Sequence, residues 1–188
     1  ENKQKGLFNL KEIGCFNEDY LLQQGDLLEY LNEEFRVKLK DSGIEIENTK
    51  GEAAVGQHEI NMKYSDALSQ SDNALVLKCA MKAISEKKNS TITFMAKPDI
   101  NKAGSSCHLH LSLYDNQGKN IFIGNDYRLN DSLTCSNSLL YFLGGIMKYS
   151  LDTFIMFAPT INSYKRYKSF SWAPTNLDSW SYDNRTSP

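Results

Sequence analysis

Cys107-His108-Leu109-His110-Leu111-Ser112-Leu113-Tyr114 runs into Asp115-Asn116-Gln117-Gly118-Lys119-Asn120 and then Ile121-Phe122-Ile123. The first segment alternates: His108, His110 and Ser112 share one strand face, and Cys107, Leu109, Leu111 and Leu113 share the other. Asp115 to Asn120 has the composition of a turn, so Ile121 to Ile123 is expected to return as the second strand of an antiparallel hairpin. Three polar side chains in a row, opposite an apolar face, suggest a sheet lining a wet cleft. A half-buried strand with its polar residues in solvent would look the same.

Working outward, Thr91 to Met95 has strand composition, and Lys97-Pro98 ends it before a polar, Gly-containing loop from Asp99 to Ser106. Upstream, Ser71 to Lys87 has the pattern of a helix capped by Ser71 or Asp72. Gly51 to Tyr64 reads as a loop followed by a strand, and Ile44 to Glu47 as a short strand. Residues 20–41 place Leu21, Leu28, Leu31, Phe35 and Leu39 at helical spacing, with Gly43 as the stop. Downstream, Ser132 to Phe154 is expected to be a helix, and Pro159 to Pro188 to be loop-rich. Strand pairs joined by short turns argue for an α+β fold with a largely antiparallel sheet.

The chain has 188 residues, of which 40% are hydrophobic and 23% charged, an ordinary globular balance. A net charge of −2 gives no basic excess, so no nucleic-acid partner is expected. No apolar run reaches the roughly 20 residues of a membrane span, so no membrane partner is expected either. The four cysteines form no CxxC pair and match no zinc motif; they are expected to be reduced thiols of a cytoplasmic protein. The chain starts at Glu1 without a Met and stops at Pro188 just after an Arg-containing motif, so both ends are expected to be cuts.

Three segments carry candidate chemistry. In Gly51-Glu52-Ala53-Ala54-Val55-Gly56-Gln57-His58-Glu59-Ile60, two carboxylates flank a small-residue stretch that can fold tightly. Both could converge on one cation, and carboxylate oxygens are ligands that Mg²⁺ and Mn²⁺ prefer. Two exposed surface glutamates would give the same spacing. In the second segment, Ala103 to Leu113, a neutral imidazole can ligate a metal, and the glycine loop leaves backbone N–H groups free for an anion. The third comprises Asn162-Ser163-Tyr164-Lys165-Arg166, then Ser171-Trp172-Ala173-Pro174-Thr175 and Tyr182-Asp183-Asn184-Arg185. Its arginines could clamp carboxylate or phosphate in bidentate fashion, although a lone arginine is equally at home on a surface.

Taken together and in order, these segments resemble the glutamine synthetase family. Gly56-Gln57-His58-Glu59 matches the family's Gly-Gln-x-Glu, and Thr93-Phe94-Met95-Ala96-Lys97-Pro98 its Thr-Phe-Met-x-Lys-Pro strand. Gly104 to Leu113 matches Gly-Ser-x-x-His-x-His-x-Ser-Leu, Asn162 to Arg166 matches Asn-Ser-Tyr-Lys-Arg, and Ala173-Pro174 follows. The likeness runs from about the first helix to the last residue. It implies residues 1–188 as part of a catalytic domain with a curved, largely antiparallel sheet flanked by helices. A small N-terminal domain, a first acidic strand, and the C-terminal end with its further carboxylate and arginines would then lie outside this chain.

The resemblance also implies roles. Glu52 and Glu59 match ligands of one metal ion, and His108 matches a ligand of a second, all facing one cleft. Gly104 matches the backbone that meets glutamate, and Arg166 its carboxylate clamp. Arg185 matches the arginine that stabilises the transferring phosphate. Tyr64, His110 and Ser112, with Arg185, fall where the family holds ATP. The implied cofactors are ATP and Mg²⁺ or Mn²⁺. The implied reaction phosphorylates the γ-carboxylate of glutamate, and ammonia or an amine then displaces phosphate from γ-glutamyl phosphate. The implied assembly is a homo-oligomeric ring, and the implied location cytoplasmic.

Three positions depart from the family pattern. Six residues after Arg166, where the family usually has a Glu that helps bind and deprotonate ammonium, this chain has Trp172. The Asn commonly found before the loop glycine is Ala103, and the stretch from Ala173 to Arg185 is one residue longer than in bacterial enzymes. Trp172 in particular points toward a larger amine as nucleophile. A polyamine or alkylamine ligase that does not use ammonium, and a non-catalytic structural relative, are the alternative functions.

Overall fold

The computed structural model describes residues 11–17, 19, 21, 26–167 and 180. The chain divides into two compact units, residues 1–94 and 95–188.

The first unit is built on a helix-and-hairpin core. A 3₁₀ turn at Asp26–Leu28 leads into helix α1 at Glu29–Asp41. Leu28, Leu31, Phe35 and Leu39 form its buried stripe, as their spacing requires. The helix therefore starts later than residue 20, and Leu21 is exposed rather than part of the stripe. Gly43 ends it at φ +83°, where a side chain would be strained. There Ile44 N–H donates to the Leu39 carbonyl at 2.8 Å and Gly43 N–H to that of Lys40 at 2.9 Å, the paired bonds of a Schellman stop. Ile44 and Leu39 are both buried, so the stop also closes the core.

Strand β1 (Ile46–Gly51) pairs antiparallel with β2 (His58–Met62), with a register irregularity between Ile46 and Asn48. Helix α2 spans Ala67–Lys87 and lays Leu77, Met81 and Ser85, one turn apart, against the core. Its cap is Asp66, whose carboxylate accepts from Ser69 N–H at 3.1 Å, rather than Ser71 or Asp72. A cap closer to the strand satisfies the same orphan donors and lengthens the helix by a turn.

The second unit carries the loops. Asp115 Oδ1 accepts from the N–H groups of Gln117 and Lys119, both at 2.9 Å, and Gly118 takes φ +77° to close the turn. The expected hairpin is reduced to its tip: one antiparallel bridge joins Tyr114 and Asn120, and Ile121 N–H donates to the Leu113 carbonyl at 2.9 Å. The rest of Cys107 to Leu113, and Thr91 to Met95 where the first unit ends and the second begins, form no described ladder. A strand exists only through its neighbour's N–H and C=O groups, and no described segment supplies them. Neither side of the 107–113 segment is covered: Leu109 is 66% exposed and Leu111 60%. Short strands β3 (Tyr127–Arg128) and β4 (Thr134–Cys135) pair antiparallel and lead into α3 at Asn137–Phe157. Ser136 caps α3, accepting from Leu139 N–H at 3.2 Å, so this helix starts later and ends later than the pattern suggested. Helix α4 (Ile161–Tyr164) and a 3₁₀ turn (Lys165–Tyr167) follow within the stretch expected to be loop. With helices and small antiparallel pairs, the described elements fit the α+β class. No helix among the described residues is long and apolar enough to cross a membrane.

Candidate active site

Glu52 and Glu59 come together in the first unit. Glu52 follows β1, Glu59 lies in β2, and the chain between them is folded by Gln57: its backbone N–H donates to the Ala54 carbonyl at 2.9 Å, and its carbonyl accepts from Glu52 N–H at 2.9 Å. The Gln57 side chain accepts from Ala54 N–H at 3.1 Å, so it holds the turn rather than facing a ligand. Gly56 is required there. It sits at φ +69°, and a Cβ would stand 2.8 Å from the Ile13 carbonyl oxygen.

A third residue, absent from the sequence argument, organises the pair. Lys50 stands directly across the hairpin from Glu59. Its ammonium hydrogen-bonds to Glu52 Oε1, lies 3.4 Å from Glu59 Oε2 and 3.9 Å from Asp19 Oδ1. Asn61 donates to Glu59 Oε1 at 2.9 Å. Partial burial pushes the Glu59 carboxyl up, but the hydrogen bond with Glu52, the Asn61 amide and Lys50 together bring it below the usual carboxylate value. The Glu52 and Glu59 oxygens are donors of the kind a hard cation prefers, and here they converge on the Lys50 ammonium.

In the second unit, His108 Nε2 lies 3.4 Å from Ser106 Oγ. His110 and Ser112 continue along the same segment, exposed. Tyr64, in the first unit, is 89% exposed just after β2. Among the described residues no group of three or more His, Cys, Asp and Glu side chains is placed to hold a metal. Trp172 and Arg185 lie outside the described residues.

Gly104 and Arg166 are brought into contact. A Cβ on Gly104 would stand 2.8 Å from Arg166 Nε and 2.5 Å from the Ala96 carbonyl oxygen, so only glycine fits between them. Burial draws the Arg166 pKa below its ordinary value, and nearby Tyr167 pushes back. Phe154 of α3 anchors the turn carrying this arginine, meeting the Tyr164 ring at 5.6 Å and the Tyr167 ring at 5.1 Å. A guanidinium beside a glycine loop is a pairing that can receive a carboxylate: the arginine supplies charge and the loop supplies backbone donors.

A family model described as "Glutamine synthetase, catalytic domain" matches residues 9–188. Similar proteins include the glutamate–isopropylamine ligase of a Pseudomonas species, 40% identical over 81% of this chain, and the glutamine synthetase of Halobacterium salinarum, 37% identical over 86%. A gamma-glutamylethanolamide synthetase of Streptomyces coelicolor is 36% identical over 91%. The chain spans about a third of these relatives, 32%, 34% and 35% of their lengths. Among solved structures, GmaS without ligand has a TM-score of 0.73 at 30% identity, covering 82% of this chain and 35% of its own. GmaS with ADP has a TM-score of 0.74 at 28% identity, covering 86% and 36%. The ordered motifs, the α+β elements and the match over residues 9–188 make this chain a member of the glutamine synthetase family, within its catalytic domain.

Proposed function

We propose that the protein carrying this chain is an ATP-dependent ligase that joins the γ-carboxylate of glutamate to an amine larger than ammonium. The observation that carries the reading is the Arg166 guanidinium seated against Gly104. In it Arg166 binds a glutamate carboxylate, and the backbone around Gly104 meets the same substrate. Glu52 and Glu59 would hold a divalent ion, Mg²⁺ or Mn²⁺, with His108 as ligand of a second; such ions supply charge neutralisation at the ATP phosphates. Tyr64, His110 and Ser112 serve the nucleotide, and Arg185 steadies the transferring phosphoryl group. The γ-carboxylate oxygen attacks the terminal phosphorus of ATP, ADP leaves, and the amine then displaces phosphate from γ-glutamyl phosphate.

Trp172 favours the larger amine. An indole cannot act as general base, whereas its flat apolar face gives a substituted amine hydrophobic contact. Two of the similar proteins are named for isopropylamine and ethanolamide chemistry. The reading includes a curved sheet and a cytoplasmic, homo-oligomeric ring.

The test is amine-dependent release of phosphate from ATP, with glutamate and a panel of ammonium, alkylamines, ethanolamine and polyamines. A substituted amine should give the highest kcat/KM. Ammonium giving the highest, with Trp172→Glu leaving that order unchanged, would overturn the amine preference. No turnover with any nitrogen nucleophile would leave the structural-relative reading in its place.

A further inference from the structure

We propose that Asn162 is a positioning residue that fixes the glycine loop and Arg166 in one geometry by clamping the backbone of Lys97. The inference rests on the substrate role assigned above to Gly104 and Arg166, and it adds the residue that sets their spacing.

Asn162 lies in α4, four residues before Arg166, at the start of the turn that carries it. Its side-chain amide makes a reciprocal pair with one residue far away in sequence. Asn162 Oδ1 accepts from Lys97 N–H at 2.7 Å, and Asn162 Nδ2 donates to the Lys97 carbonyl at 2.8 Å. The side chain thereby completes both backbone groups of Lys97 as a neighbouring strand would. At neutral pH a side-chain amide supplies the donor and the acceptor side by side that this pairing needs.

Lys97 is the point from which the glycine loop hangs. It is buried, and its ammonium donates to the Lys102 carbonyl inside the loop. One residue earlier, the Ala96 carbonyl accepts from Ser105 N–H at 2.8 Å, on the far side of the loop. Three ties therefore meet at Ala96 and Lys97: one to the loop's middle, one to its end, and one to the α4 turn. Gly104 lies beside Ser105 and Arg166 lies on the α4 turn, and these two are in contact. The Asn162 clamp is a hydrogen-bonded tie that holds the two segments together.

The consequence is selective. Without the clamp, Lys97 loses partners for two backbone groups and the loop gains freedom relative to Arg166. Glutamate binding should weaken, while nucleotide contacts assigned to other segments should hold.

The test uses the full-length enzyme. Asn162→Ala should raise KM for glutamate by about tenfold, the factor expected when a buried hydrogen-bonding group is left without its partner, with KM for ATP within about twofold. Hydrogen exchange in the peptide spanning 96–105 should quicken by about tenfold or more for the same reason. Asn162→Asp is the second variant, for use if the alanine protein does not fold. It keeps the acceptor for Lys97 N–H but, ionised, sets an oxygen against the Lys97 carbonyl. Its glutamate KM should fall toward the wild-type value, measured at the same pH, as the pH drops and the protonated acid regains a donor. A purely structural role would not produce that pH-dependent rescue. Unchanged exchange in 96–105 for Asn162→Ala, or an Asn162→Asp KM that follows wild type at every pH, would overturn the proposal. If the wild-type enzyme turns over no amine, the functional reading fails, and the exchange measurement still decides the clamp.

Discussion

Helices α2 and α3 are each 21 residues long and end in opposite states. The less apolar of them, α2, buries Leu77, Met81 and Ser85 against the core of its unit. The more apolar, α3, buries no residue along its length, with Leu151 80%, Tyr141 78% and Met156 77% exposed. Apolar content therefore does not decide burial. A narrow stripe facing another stripe does, and α2 has α1 and the β1–β2 hairpin to face. On α3, Phe122 meets Phe142 at 5.2 Å and Phe154 meets two tyrosines, while most of its other large apolar side chains point to open space.

The sharpest way to break this comparison is a pair of matched truncations. Leu39 is fully buried, so Leu39→Ala should cost about 2–5 kcal/mol in urea denaturation. Leu151→Ala on α3 should change stability by less than about 0.5 kcal/mol in the same assay. A multi-kcal loss at Leu151 would mean that α3 is packed in solution and that the contrast between the helices is not real.

The junction ahead of α3 sharpens the contrast within the second unit. A Cβ on Gly124 would stand 2.9 Å from both Cα and Cβ of Ser136, so Gly124→Ala must shift the strand that leads into the helix. The expected cost is about 1–3 kcal/mol, the usual penalty of overpacking, read as a lower urea midpoint. The cap itself is worth somewhat less. Ser136 Oγ donates to the Ile121 carbonyl at 2.5 Å and accepts from Leu139 N–H, and Ser136→Ala removes both bonds. A loss of about 1 kcal/mol, with reduced helical circular dichroism, is expected. Ser136→Thr should recover most of it.

What could be read in advance follows the same division. The α1 stripe and its Gly43 stop were legible because helix pattern and stop signal are local. The start of α2 was misplaced because exposed Leu68 adds nothing to the stripe, while Asp66 supplies the cap. The 107–113 alternation suggested a strand, but only the Tyr114–Asn120 bridge forms, because a ladder depends on a partner that local pattern does not specify. In the site, the spacing of Glu52 and Glu59 allowed them to converge, as they do on Lys50, but gave no sign of Lys50 itself. It faces Glu59 only once the hairpin register is known. Asn162 was hidden behind Arg166 in its own motif, since its partner Lys97 lies 65 residues away.

The smallest expected effect concerns charge, and it separates the units again. The first unit ties its elements with ion pairs distant in sequence: Glu34 to Lys88 and Glu45 to Lys63, each at 2.8 Å. The described ion pair in the second unit, Arg128 with Asp131, is local. A hydrogen bond from Lys88, reinforced by its charge, holds the Glu34 carboxyl below its ordinary 4.5, and Lys63 does the same to Glu45. A carboxyl depressed on folding adds stability above its unfolded value, and that share is lost as pH falls through the lower folded value. Lys63 is raised from 10.5 by Glu45, so its share is present below 10.5 and lost as pH rises through the folded value. Both pairs are solvent-exposed and screened by salt, so the effect should be a small shift in Tm. The double variant Glu34→Gln, Glu45→Gln should melt slightly below wild type at neutral pH in low salt. The gap should close as the pH falls below 4.5, and it should also shrink in about 1 M salt, where the screening length is a few ångströms. A gap that persists in acid and in high salt would show that the two glutamates act through packing, leaving the units alike in how little their charges matter.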